Sequence, residues 1–165
     1  MRSGNFTKHL QQKVYILKND HPFLFSPKKW LGEGKIRLSN IEEELDFYTR
    51  WNLDAVDDEG NIPASQEVQI KGMSDIMQNQ FVITDVSGTH FTITLENATL
   101  GTITGKGLIK DDLIAWEFRD SEIGFEGFEF YEKQPDGSYL MRAEYATPEQ
   151  DRTFIRGKIW EKMAT

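Results

Sequence analysis

Trp30-Leu31-Gly32-Glu33-Gly34-Lys35-Ile36-Arg37-Leu38 is the stretch on which the fold turns. Trp30, Gly32, Gly34, Ile36 and Leu38 are apolar or small, and they alternate with Leu31, Glu33, Lys35 and Arg37. A period of two puts the first set on one face of an extended strand and the largely charged set on the other. The two glycines weaken a flat strand but permit the sharp bend of a sheet that curls on itself.

Downstream the same period continues. Leu45, Phe47, Thr49, Trp51 and Leu53 alternate with Glu44, Asp46, Tyr48, Arg50 and Asn52. Val68/Ile70, Phe81/Ile83, Phe91/Ile93/Leu95, Ile114/Trp116/Phe118, Tyr139/Met141/Ala143/Tyr145 and the run Phe154 to Trp160 extend the pattern. Between them stand turn signals: Asp58-Glu59-Gly60-Asn61, Ser87-Gly88, Glu96-Asn97, Lys110-Asp111-Asp112, Pro135-Asp136-Gly137 and Thr147-Pro148. The spacing predicts an all-β, antiparallel up-and-down meander of about 8–10 strands. Left flat, it would expose two unpaired edges, so closure into a barrel is the simplest solution, with a two-sheet sandwich as the alternative. Gly101, Gly105, Gly107, Gly124, Gly127 and Gly157 lie in or beside strand patterns and favour the barrel.

Upstream the period is 3.6. Phe6, Leu10, Val14 and Leu17 fall on one face, which predicts a short amphipathic helix over 1–20 with Asn5 as a possible N-cap. Asn19-Asp20-His21-Pro22 is a stop, and Pro27 is expected to keep 22–27 extended. The helical segment reads as a lid or plug packed on the strands. The expected organisation is one domain over 1–165, with a helix at 1–20 and a barrel at 28–162.

The chain has 165 residues, 12% of them aromatic, no cysteine and a net charge of −8. Without Cys there is no disulfide framework, thiolate metal site or cysteine nucleophile. The acidic balance argues against nucleic acid as a partner. Charge is uneven: residues 1–39 carry eight basic and two acidic side chains, and residues 40–80 two basic and ten acidic. The N-terminal cations are dispersed, so a solvated basic segment is a better reading than a lipid- or nucleic-acid-binding arm. Neither a signal peptide nor a membrane span is recognisable, and the expected location is the cytoplasm. Asn97-Ala98-Thr99 matches a glycosylation sequon but reads as a turn.

The Trp30 to Ile36 segment, with the acidic and aromatic strand Glu42 to Tyr48 after it, resembles the opening of calycin barrels, the superfamily of lipocalins, fatty-acid-binding proteins and nitrobindin-like domains. The helix before the first strand, the meander and the closing strand Thr153 to Trp160 resemble it as well. Lys28 stands where the lipocalin signature places a glycine. The resemblance implies a barrel that holds a small molecule in its lumen. Nitrobindin-like barrels bind haem through a late-strand histidine, and this chain has no histidine after His90.

Other chemistry has little support. His9, His21 and His90 lack metal-ligand spacing, and no cofactor is expected. Asp54, Asp57, Asp58 and Glu59 miss the first calcium ligand of an EF-hand, because Ala55 occupies that place. Neither Gly32-Glu33-Gly34 nor Gly101 to Gly107 completes a phosphate-binding loop. Glu117, Glu126, Glu129 and Glu132 lie on two neighbouring strands, where a pair could do acid–base work or form an exposed ladder.

The inward face would carry Trp30, Phe47, Trp51, Phe81, Phe91, Trp116, Phe118, Tyr139, Met141 and Tyr145, either as a packed core or as a pocket. On the last strand Phe154, Arg156, Lys158 and Trp160 share one face while Ile155, Gly157 and Ile159 share the other. If the aromatic face points in, the resemblance implies that Arg156 binds a ligand carboxylate or stacks over Trp30; if the isoleucine face points in, Arg156 is solvated. The function expected is a lipocalin-like binding protein for a small apolar or carboxylate-bearing ligand, with Trp30, Trp51, Phe91, Trp116, Tyr139, Met141 and Arg156 as site residues. A chromophore-processing barrel using lumen carboxylates and a scaffold with an acidic face are the alternatives. The state is expected to be monomer or homodimer.

Overall fold

The computed structural model describes residues 2–148 and 151–163. A helix, α1 (Arg2–Lys18), precedes ten strands. These are β1 (Lys29–Leu38), β2 (Glu44–Leu53), β3 (Ile62–Ile70), β4 (Ile76–Thr84), β5 (His90–Asn97), β6 (Gly101–Lys110), β7 (Leu113–Asp120), β8 (Phe125–Lys133), β9 (Tyr139–Ala146) and β10 (Arg152–Glu161). All pair antiparallel with their sequence neighbours, and β10 pairs with β1. Closure removes both edges, as the alternation requires, and the sandwich is excluded.

The register settles the last strand. Gly32 faces Ile159, Gly34 faces Gly157 and Ile36 faces Ile155. Directly opposed residues share a face, so the inward set of β1 carries the isoleucines of β10 inward with it. Phe154, Arg156, Lys158 and Trp160 therefore point out. Glycine is needed at this seam: a Cβ on Gly34 would lie 2.1 Å from the Arg156 carbonyl oxygen, too close to backbone to be relieved. On β6, a Cβ on Gly107 would meet the Phe91 ring at 2.2 Å, so the missing side chain makes room for that ring in the lumen.

The upstream segment departs from its pattern. α1 forms and stops before the Asn19–Pro22 signal, but it starts ahead of Asn5, which is an interior residue and not a cap. Its predicted apolar face is turned to solvent: Leu10 and Leu17 are 53% and 81% exposed, and Val14 is exposed too. The Phe6 side chain lies outside the described residues. The helix packs through Gln12 and Ile16, with Gln12 over Gly60, because only a narrow strip of it reaches the barrel rim. Nor is 22–27 extended throughout: Pro22–Phe25 forms one distorted turn, with Leu24 at φ 75°. Phe23, Leu24 and Phe25 are all buried, so these residues, rather than the helix, stop the barrel end.

Candidate functional site

Six of the seven predicted site residues converge in the lumen. Trp30 and Trp51 are directly opposed on β1 and β2, Trp116 comes from β7, Phe91 from β5, and Tyr139 and Met141 from β9. All six are buried. Arg156 does not join them. It stands on the outer wall, where its guanidinium donates to Glu44 at 3.0 Å, beside a groove of about 1070 Å³ shared with Lys35, Arg142 and Leu140. The stack on Trp30 is not formed, and the guanidinium does not face the lumen. The reason is the seam register, which turns the isoleucines of β10 inward.

The rings form a cage around a residue that the alternation did not reach. Phe23 lies 5.5 Å from Trp30, 5.3 Å from Trp51, 4.9 Å from Tyr131 and 5.6 Å from Tyr139, centroid to centroid. Trp116 stacks on Tyr131 at 5.0 Å and Trp51 on Phe81 at 5.1 Å. Offset and edge contacts of this kind add about 0.5–1.5 kcal/mol per pair beyond area burial. Yet the indole Nε1 atoms of Trp30, Trp51 and Trp116 are buried and have no hydrogen-bond partner. An unmade buried donor costs about 1–3 kcal/mol.

Below the cage the lumen becomes polar. On β8 the inward residues are Phe125, Gly127, Glu129 and Tyr131, and Glu129 is opposed to Trp116 on one side and Ala143 on the other. Its Oε1 accepts from the Tyr131 hydroxyl at 2.7 Å and its Oε2 from the Tyr145 hydroxyl. Burial pushes the Glu129 carboxyl above the usual carboxylate range, and the two tyrosine hydroxyls pull it back. The Trp116 indole adds to that pull without meeting hydrogen-bond geometry. Desolvation also drives the Tyr131 and Tyr145 hydroxyls well above their ordinary pKa, reinforced by the neighbouring carboxylate.

Across the lumen, a ladder of three amides and a hydroxyl links four strands. Thr49 Oγ1 accepts from Gln66 Nε2, Gln66 Oε1 from Asn79 Nδ2, and Asn79 Oδ1 from Asn97 Nδ2, each at 3.0 Å. Asn97 Oδ1 also accepts the backbone N–H of Thr99 and Leu100, so the sequon residue shapes the β5–β6 turn.

Of the four glutamates singled out by sequence, Glu117, Glu126 and Glu132 are exposed on the outer wall and Glu129 alone is inward. No carboxylate pair therefore converges among the described residues. Glu129 was legible in the alternation Gly127–Glu129–Tyr131; its partners were not. Phe23 and His21 carry no periodic signal, because they belong to a turn.

No protein-family model matches the chain, and no curated protein matches it. Among solved structures it is similar to the S-type phycobiliprotein lyase CPES from Guillardia theta, with a TM-score of 0.65 over 93% of this chain and 98% of that one. This likeness and the closed ten-stranded meander support the expected calycin-like fold. At 8% identity the likeness concerns the fold alone.

Proposed function

We propose that the chain is a small-molecule binding barrel whose lumen takes a flat, mostly apolar ligand between the indoles and Glu129. One observation carries this: the buried indole N–H groups of Trp30 and Trp51 have no acceptor, and that of Trp116 has only the neighbouring buried Glu129 carboxyl, short of hydrogen-bond geometry, in the same lumen. A core built only for stability gains nothing from either, whereas a ligand with acceptor atoms toward the indoles and a donor toward Glu129 answers both. The carboxylate-bearing ligand suggested by an inward Arg156 loses its support. Among the described residues, Glu129 is the one buried side chain that is either acidic or permanently basic, so a second carboxylate beside it would be repelled.

The experiment is a titration with anilinonaphthalene sulfonate at pH 7.5, read by energy transfer from the tryptophans and by native mass spectrometry. One saturable site per chain is the expected result; no bound probe at high micromolar concentration overturns the reading.

The named activity of the fold neighbour favours a second, narrower reading, a barrel that handles an open-chain chromophore. Glu129 is the group that could meet a donor on such a molecule. Biliverdin tests it: its visible band should shift on mixing with the native chain and not with Glu129→Gln, and an unshifted band with the native chain removes this reading.

A further inference from the structure

Residues 21–25 hold the barrel end by a small number of identifiable contacts. The His21 ring is buried between two strands: Nε2 donates to the Lys110 carbonyl, so the neutral tautomer leaves Nδ1 to accept from the Tyr139 hydroxyl at 2.8 Å. Asn19 Oδ1 accepts the His21 backbone N–H at 2.8 Å, and Lys133 Nζ donates to the Asp20 carbonyl at 3.0 Å. Beyond this latch, Phe23 enters the ring cage with no exposed surface.

The same segment carries costs that a permanent core element would not need. Leu24 sits at φ 75°, in the left-handed region that a residue with a Cβ disfavours. Trp30 and Trp51, which contact the Phe23 ring edge-on, keep unpartnered indole N–H groups while that ring occupies the cage. The segment contributes no strand to the closed sheet, so the ten-stranded ladder is complete without it.

We infer that His21–Phe25 is a displaceable plug whose Phe23 ring competes with lumen ligands for the aromatic cage. The inference rests on the proposed lumen site and adds its regulation. A flat ligand with acceptor atoms replaces one ring by another, supplies the indole N–H groups with partners and releases Leu24 from its left-handed conformation.

The latch also makes the plug responsive to acid. A protonated His21 cannot accept from Tyr139, and its ring is buried, which disfavours the charge. The charged groups facing it are Lys133 from β8, which opposes protonation, and Asp20 and Asp112, which favour it; Lys110 contributes a carbonyl and Tyr139 a hydroxyl. Burial dominates and lowers the histidine pKa below its ordinary 6.5. The free segment then binds the proton more readily than the docked one. Docking is therefore at full strength above pH 6.5 and weakens as the pH falls below it.

The chain has no cysteine, so Leu24→Cys introduces a single thiol inside the plug. Its labelling rate with a methanethiosulfonate, divided by the rate of the urea-unfolded chain at the same pH, reports docking. At pH 7.5 the thiol should be protected at least about tenfold; at pH 5.5 that protection should fall with near-UV circular dichroism retained, and His21→Gln should abolish the pH dependence. Acrylamide quenching of the tryptophans in the unmodified chain should rise over the same interval, independently of the cysteine. Equal protection at both pH values, or exposure only with loss of near-UV dichroism, overturns the acid-responsive latch.

At pH 7.5 anilinonaphthalene sulfonate should speed Leu24→Cys labelling, and Phe23→Ala should bind the probe about tenfold more tightly. Probe that binds without changing the labelling overturns the displaceable plug and leaves the lumen reading intact. Probe that does not bind the native chain overturns the lumen reading, and the competitor role with it.

Discussion

The helix α1 and the turn at Pro22–Phe25 make opposite use of their apolar side chains. The helix is long, regular and periodic, yet Leu10, Val14 and Leu17 face water and its anchoring falls to Gln12 and Ile16. The turn is short and distorted, and it buries Phe23, Leu24 and Phe25 together. Area removed from water, rather than regularity, decides which element holds the barrel end. A helix lying on a rim can offer one narrow strip, whereas a turn entering a mouth is surrounded on all sides.

Phe23→Ala is the sharpest way to probe this contrast. A fixed core phenylalanine would cost about 3–5 kcal/mol on truncation. A plug that can undock limits the loss to its own docking free energy, so we expect about 2–3 kcal/mol, read as a fall in the urea midpoint. A loss at the upper end of the fixed-core range would mark Phe23 as permanent core.

Asn79→Ala should come next. It removes the middle of the amide ladder, leaving Gln66 Oε1 and Asn97 Nδ2 without partners, at a cost of about 1–3 kcal/mol. An unchanged urea midpoint would show that water replaces the ladder.

Glu129→Gln should move stability the other way. Because burial raises the Glu129 pKa in the folded chain, keeping the carboxylate charged works against folding above that raised value. The penalty is relieved as the pH falls toward the ordinary value of 4.5. The glutamine variant should therefore have a higher urea midpoint than the native chain at pH 8 and nearly the same one near pH 4.5. Acid thus strengthens the floor of the lumen while it loosens the latch at its mouth, and a pH-independent difference would break that opposition.

The smallest effects belong to the outer surface. Leu17→Ala should shift stability by no more than about 0.5 kcal/mol. Arg156→Ala should leave probe binding unchanged, since the guanidinium reaches Glu44 and not the lumen. Weakened binding by the latter would show that the outer groove communicates with the interior.

Alternation along Trp30–Leu38 and its successors determined the strands, their inward faces and, through the cost of open edges, closure of the sheet. These properties depend on side-chain period and local turn chemistry, which a linear chain displays. Six lumen residues could be named on that basis, and the inward place of Glu129 was available from the same period. Only the tertiary structure decided which face of β10 points in, because Phe154–Trp160 alternates acceptably either way and the choice depends on the β1 glycines across the seam. Only the tertiary structure showed Phe23 inside the cage and His21 between Lys110 and Tyr139, since those contacts join residues far apart in the chain through a turn without period. The sequence alone thus defined the barrel and most of its lining; what occupies the mouth was settled by packing.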